Sequence, residues 1–262
     1  MDGRRRPQGA GPGPLTLAID VGGSGLKASV LDAAGAMTVD RVRVATPYPL
    51  PPERLVDSLV ELVAPLGAYD RVSLGFPGMV RDGVVRTAPN LATEEGPGSP
   101  TDPAIADAWD GFALAEVLTE RLGRPTRVLN DADLQGGAVV QGEGLEMVVT
   151  LGTGFGTALY HQGRLCPHLE LGHHPFREDE TYDEQLGDVA RRHVGRKRWN
   201  RRVREAIAIL HVLCRYDHLY VGGGNAKHLE GDLGPRVSVV DNKAGILGGI
   251  KLWEDGSGGS GG

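Results

Sequence analysis

The sequence predicts an α/β protein built as two lobes, and three observations carry that expectation. Two apolar runs, over 15–21 and 146–151, each end at a glycine turn and are followed by a second strand-like run. Short buried strands then alternate with amphipathic helical patterns, as in sheets covered by helices. The 262 residues suffice for two modest lobes, each with its own core.

The elements follow in order. The run over 15–21 ends at Asp20-Val21 and a glycine pair, so it reads as a buried strand entering a tight turn. Residues 25–31 make a second strand, and 37–45 alternate like a third. Over 52–66, Leu55, Leu59, Leu62, Val63 and Leu66 share one helical face, and Gly67 stops it. Strands over 71–75 and 84–87 precede a stretch of Pro, Gly, Ser, Thr and Glu over 92–103 that is expected as loop or insertion. A helix over 111–122 leads to a buried strand over 126–129, which ends at Asn130-Asp131. The order then partly repeats, with strands over 146–151 and 157–161 and helices over 182–194 and 199–216. A strand over 218–221 ends in Gly222-Gly223-Gly224, and a strand over 237–240 and a helix over 244–253 close the pattern.

Flanking segments are set aside from the fold. The Arg-, Gly- and Pro-rich arm over 1–14 is expected to be disordered, and the Gly/Ser tail over 255–262 to be flexible. The first lobe is placed at 15–129 and the second at 130–243.

Composition narrows the function. The chain is 40% hydrophobic and 24% charged, ordinary for a soluble globular protein. No apolar run approaches the ~20 residues that span a bilayer, and the N-terminal arginines lack the apolar core of a secretory signal. The two cysteines, Cys166 and Cys214, are far apart in the sequence, which favours a reducing, cytoplasmic setting over a disulfide framework. A net charge of −6 does not advertise nucleic-acid binding. The charge is uneven, however: residues 191–204 hold eight Lys or Arg and no Asp or Glu.

Three glycine turns suggest phosphate. In Asp20-Val21-Gly22-Gly23-Ser24-Gly25-Leu26-Lys27, the glycines let backbone N–H groups form a nest for anionic oxygens. Ser24 can add a hydrogen bond, Lys27 a charge, and Asp20 could hold Mg2+ through water. A strand follows, where a Walker loop would need a helix. Gly152, Thr153 and Gly154 repeat the design after the second apolar strand, and Gly222, Gly223, Gly224 and Asn225 offer a third turn. A plain structural hairpin is the competing reading of each.

Asn130-Asp131-Ala132-Asp133 lies where a strand meets a helix start. Asp131 is placed there to accept a proton from an attacking hydroxyl, with Asp133 as the capping or structural candidate. Cys166, His168, His173 and His174 crowd one segment, but their spacing fits no usual zinc pattern, so no zinc is expected. Glu170 and His173 suit hydrogen bonds to sugar hydroxyls better.

Asp20 to Lys27, Asn130-Asp131-Ala132, the Glu-x-Gly-His of Glu170 to His173, and Gly222 to Asn225 together resemble the ROK family of sugar kinases and repressors. Leu151-Gly-Thr-Gly-Phe-Gly-Thr, Trp199-Asn-Arg-Arg-Val and Tyr216-Asp-His-Leu-Tyr-Val-Gly-Gly-Gly-Asn-Ala are similar to its polyphosphate glucokinase subgroup. The likeness spans roughly 15–254. It implies the actin-like two-lobed fold, with a C-terminal helix over 244–254 returning to the first lobe. It also implies Asp131 as catalytic base, and Asn90, Asn130, Glu170 and His173 as contacts to glucose, with Asp20 near phosphate and Mg2+. The phosphoryl donor would be polyphosphate, ATP or both, and a homodimer is suggested by the family alone. The family's cysteine zinc cluster is absent, its further sugar-binding glutamate falls at Asp183 or Glu184, and the segment over 92–108 is longer than usual.

The basic stretch bears on the donor. Arg198, Arg201 and Arg202 crowd the start of a helix, where the macrodipole disfavours cations. With the resemblance, they read as a groove for a long polyphosphate; without it, a solvated basic face is the plainer account. Other classes fit less well. A sugar-sensing repressor would need a DNA-binding segment where residues 1–14 stand. An actin-like scaffold ATPase would not need the Asn130-Asp131 and Glu170–His173 polar set.

Overall fold

The computed structural model describes residues 13–240 and 244–253. The expected arm (apart from Gly13 and Pro14) and the Gly/Ser tail lie outside the described residues, as does Glu254 at the end of the expected last helix. The chain divides into two compact units, one running to Leu134 and resuming at Gly249, the other spanning Gln135–Gly248. The boundary expected after Leu129 thus falls five residues later, and Asn130 and Asp131 belong to the first unit.

In the first unit, β1 (Thr16–Gly22), β2 (Gly25–Leu31), β3 (Val42–Val44), α1 (Pro52–Val63), β4 (Arg71–Phe76), β5 (Val80–Arg81) and β6 (Val84–Val85) come first. They are followed by α2 (Pro103–Trp109), α3 (Leu114–Leu122), β7 (Thr126–Asn130) and α4 (Asp131–Gly137). The five-stranded sheet has the order β3-β2-β1-β4-β7. β1 pairs antiparallel with β2 and parallel with β4, and β4 runs parallel to β7. Leu17, Ile19 and Val21 of β1 are buried, as are Val72, Leu74 and Phe76 of β4. Leu55, Val56, Leu59, Leu62 and Val63 give α1 its buried stripe, and Pro52 starts it without needing an N–H partner.

Several boundaries differ from expectation for local reasons. The third strand shrinks to Val42–Val44, with Met37 in an isolated bridge to Leu31. The stretch over 92–103 is loop with a Thr93–Thr101 bridge, but it then feeds α2. Asp102 caps that helix, accepting the Ala104 and Ile105 N–H groups at 2.8 and 3.3 Å. Trp109 at its end is fully buried and donates to the Leu50 carbonyl at 3.0 Å. The chain resuming at Gly249 is clasped by β4 and β7. Ser73 Oγ donates to Gly249 O at 2.6 Å and accepts from Trp253 Nε1 at 2.9 Å. The guanidiniums of Arg71 and Arg127 lie over the Trp253 ring, 5.3 and 4.4 Å from its centre.

The second unit repeats the plan. It holds β8 (Leu145–Leu151), β9 (Phe155–His161), β10 (Arg164–Leu165), β11 (Pro175–Arg177), β12 (Glu180–Thr181), α5 (Tyr182–Leu186), α6 (Asp188–Val194) and α7 (Arg196–Cys214). β13 (His218–Gly222), β14 (Val237–Val239) and α8 (Ala244–Lys251) follow. Its sheet has the order β10-β9-β8-β13-β14, again an antiparallel hairpin around a glycine turn followed by parallel strands. Trp199, Val203, Ala206, Ile207 and Leu210 bury one face of α7.

The single helix expected over 182–194 is two. Gly187 adopts an extended ψ of 173° between α5 and α6, and a Cβ there would stand 2.3 Å from the Thr153 carbonyl oxygen. The break exists because the glycine turn after β8 docks at that point: Asp188 N–H donates to Thr153 O at 3.2 Å.

Candidate active site

The candidate residues form two groups, one in each unit. In the first unit the parallel strands β1, β4 and β7 end together, with Asp20 opposite Gly75 and Gly75 opposite Leu129. Asp20 is exposed, and its Oδ2 accepts from Lys27 Nζ at 2.8 Å across the hairpin. The turn over 22–24 is held from two sides. Thr46 Oγ1 donates to Gly22 O at 2.6 Å, and the Tyr48 hydroxyl lies 2.8 Å from both Gly23 O and Asn90 O. Burial pushes the Tyr48 phenol up to about 12, so it stays a neutral donor. A Cβ at Gly23 would stand 2.4 Å from Pro97 Cγ, so the loop over 92–102 presses directly on the turn.

Asn130 is buried at the end of β7 and fixes the start of α4. Its Nδ2 donates to Gly78 O at 3.0 Å, while its Oδ1 accepts the Ala132 N–H at 2.8 Å. Asp131 Oδ1 accepts the same N–H at 2.8 Å, and the side chain is half-buried. Asp133 is buried in the first turn of α4. β4 passes close beneath this point, since a Cβ on Gly75 would meet Leu134 Cδ2 at 3.2 Å and touch Asp131 Cα at 3.8 Å.

In the second unit the turns over 152–154 and 222–225 are bonded together. Asn225 donates its backbone N–H to Leu151 O and its Nδ2 to Gly152 O, both at 2.9 Å. Gly223 has φ +88°, and a Cβ would lie 2.4 Å from Leu151 O. Beside this pair, Leu171–His173 forms a 3-10 helix after Glu170. Asp183 sits in the crevice between it and the first turn: Oδ1 accepts the Phe155 N–H at 2.5 Å, and Oδ2 lies 3.7 Å from His173 Nε2. A Cβ on either Gly154 or Gly172 would meet Asp183 Oδ1 at 2.7 Å. Glu184, the other candidate, is exposed and occupied in a capping box with Thr181.

Two carboxyls here are pushed apart. Burial raises Glu170, but the hydrogen bond and charge of His168 and the charge of His173 overcome this and hold it below its ordinary range. For Asp183, burial wins over the Phe155 N–H and His173, and Glu170 and Glu184 add to the rise. The set offers one firmly ionised acceptor, one carboxyl that holds its proton more readily, and an exposed imidazole.

Of the expected groove cations, Arg198 and Arg201 are exposed, but Arg202 is not. Arg202 is only 6% exposed, because it turns under α5, where Nη1 lies 3.4 Å from Gln185 O. Burial, together with the charges of Arg177 and Arg198, lowers its affinity for its proton. Lys197, Arg198 and Arg201 make no ion pair among the described residues, whereas Arg192 and Arg196 are held by Asp188 and Glu230. Among the described residues there is no group of three or more His, Cys, Asp or Glu that could hold a metal ion. A cavity of about 420 Å³ lies at the other strand ends, lined by Glu143, Glu146, Asp217, His218 and Tyr220, and none of the candidates lines it. Tyr48 and Gly78 went unread in the sequence because their partners, the Gly23 and Asn90 carbonyls and the Asn130 amide, lie far along the chain. His168 was weighed there only as a metal ligand.

Comparison with known proteins places this geometry. The ROK family profile matches residues 16–184. The polyphosphate glucokinase of Mycobacterium leprae is 30% identical over 247 residues, covering 88% of this chain and 72% of the relative. That of Mycobacterium tuberculosis (strain H37Rv) is 30% identical over 259 residues, covering 90% and 92%. The crystal structure of the inorganic polyphosphate/ATP-glucomannokinase from Arthrobacter sp. strain KM superposes with a TM-score of 0.77 at 29% identity, covering 92% of this chain and 100% of that one. The chain belongs to the ROK family and has the two-lobed actin-like fold of its sugar kinases.

Proposed function

We propose that the chain transfers the terminal phosphate of inorganic polyphosphate, and of ATP, to the 6-hydroxyl of glucose. Asp131, at the end of a parallel strand, takes the proton of the attacking hydroxyl. Asn90, Asn130, Glu170, His173 and Asp183 hold the sugar, and the three glycine turns offer N–H groups to phosphate oxygens. Mg2+ when bound neutralises charge on those oxygens. Asp20, the exposed carboxylate beside the first glycine turn, would hold it through water.

The observation that carries the polyphosphate reading is the exposed trio Lys197, Arg198 and Arg201 on the first turns of α7, without ion pairs among the described residues. These cations oppose the helix dipole, and a bound polyanion would offset the repulsion. The names of the Mycobacterium and Arthrobacter relatives support the same donor. The burial of Arg202 favours the second reading, an ATP-only hexokinase, since it removes one cation from that face.

Glucose 6-phosphate formation with Mg2+, using long-chain polyphosphate or ATP as sole donor, tests both. Product from polyphosphate is expected. Product from ATP alone would leave the second reading, and product from neither would overturn glucose phosphorylation.

A further inference from the structure

The sugar contacts proposed above leave one buried imidazole unexplained. His168 and Glu170 turn inward just before the 3-10 helix of Leu171–His173, while Leu169 between them points out and is 55% exposed. Thr157 Oγ1, from β9, donates to Leu169 O at 3.0 Å and so fixes the backbone register of both neighbours. The His168 side chain is 3% exposed and that of Glu170 17%, with Nε2 3.5 Å from Oε2. That separation is an ion-pair contact rather than a closed hydrogen bond, and it sets the imidazole edge against the Glu170 carboxylate.

We propose that His168 is a positioning residue for Glu170, fixing the rotation of its carboxylate and so the oxygen that a sugar hydroxyl meets. The assignment rests on the sugar-site reading given above. The inner pair contrasts with the outer one. His173 and Asp183 stand 3.7 Å apart with side chains 47% and 35% exposed, open to a ligand. His168 is too enclosed to touch a sugar itself. Burying an imidazole against a carboxylate adds little net stability, because desolvation offsets the attraction. What it does give is a carboxylate held in one orientation before the ligand arrives.

The experiment measures glucose KM, kcat and melting temperature for His168→Ala and His168→Gln, in the parent and in a Glu170→Gln background. His168→Ala is expected to raise the glucose KM severalfold, because the Glu170 carboxylate loses its fixed orientation, with kcat within about twofold. His168→Gln, whose amide can donate to Oε2, should recover most of the loss. In the Glu170→Gln background, where only a neutral amide oxygen is left to orient, His168→Ala should add much less. If His168→Ala does not fold, His168→Met fills the space without a donor and carries the same expectation. A lowered melting temperature with unchanged KM, or an equal KM rise in both backgrounds, would overturn the positioning role alone. An unchanged KM in Glu170→Gln itself would overturn the sugar site and this role together.

Discussion

At the start of α4, Asn130 spends both ends of its amide on the backbone of Gly78 and Ala132, while Asp131 beside it is only half-buried. That division suits the role proposed for Asp131. Replacing Asp131 with Asn keeps the N–H acceptor for Ala132 but removes the proposed base. Turnover should fall by about 10²–10⁴ while glucose still raises the melting temperature. Near-normal turnover in Asp131→Asn would remove it from the role. The choice between Asp183 and Glu184 shows what one sequence hides and what it holds. Thr181-x-x-Glu184 is a capping box written in the sequence, and it alone commits Glu184 to the helix start. The place of Asp183 depends instead on two bare glycines, Gly154 and Gly172, that only the folded chain brings around it.

Elements were legible where their signals are local. An apolar strand running into glycines needs no distant partner to be recognised, and both hairpins around such turns are present. The break at Gly187 was not legible, because 182–194 keeps a helical pattern and the cause is a carbonyl from the turn after β8. Nor was α2, hidden in a stretch rich in turn residues although Asp102-Pro103 is an ordinary helix start. The joined turns of the second unit tolerate little change. Gly223→Ala meets both a positive φ and a backbone oxygen at 2.4 Å. It should lower stability by roughly 2–4 kcal/mol, read as a shifted urea midpoint. An unchanged midpoint would mean that the turn is free to move away from Leu151.

Over the whole molecule, a chain of net charge −6 gathers exposed cations on the first turns of α7. The charge run was plain in the sequence, but the direction of each side chain was not. Arg202 sits one position from exposed Arg201 and is buried, since neighbours on a helix point about 100° apart. Replacing Arg198 and Arg201 together with Ala should raise the KM for long-chain polyphosphate severalfold, leave that for glucose alone, and flatten the salt dependence of polyphosphate use. An unchanged polyphosphate KM would make these cations a solvated face. The clasp of Ser73 on Gly249 and Trp253 carries a different consequence. It joins residues 176 and 180 positions apart, so the first sheet includes contacts of very long sequence separation. Such contacts come late, after the intervening loop has been closed at an entropic cost. On the ribosome, where the chain emerges from its N-terminus, residues of the second unit are all available before Trp253 is made. The earlier-synthesised half is therefore the one that must wait to be finished.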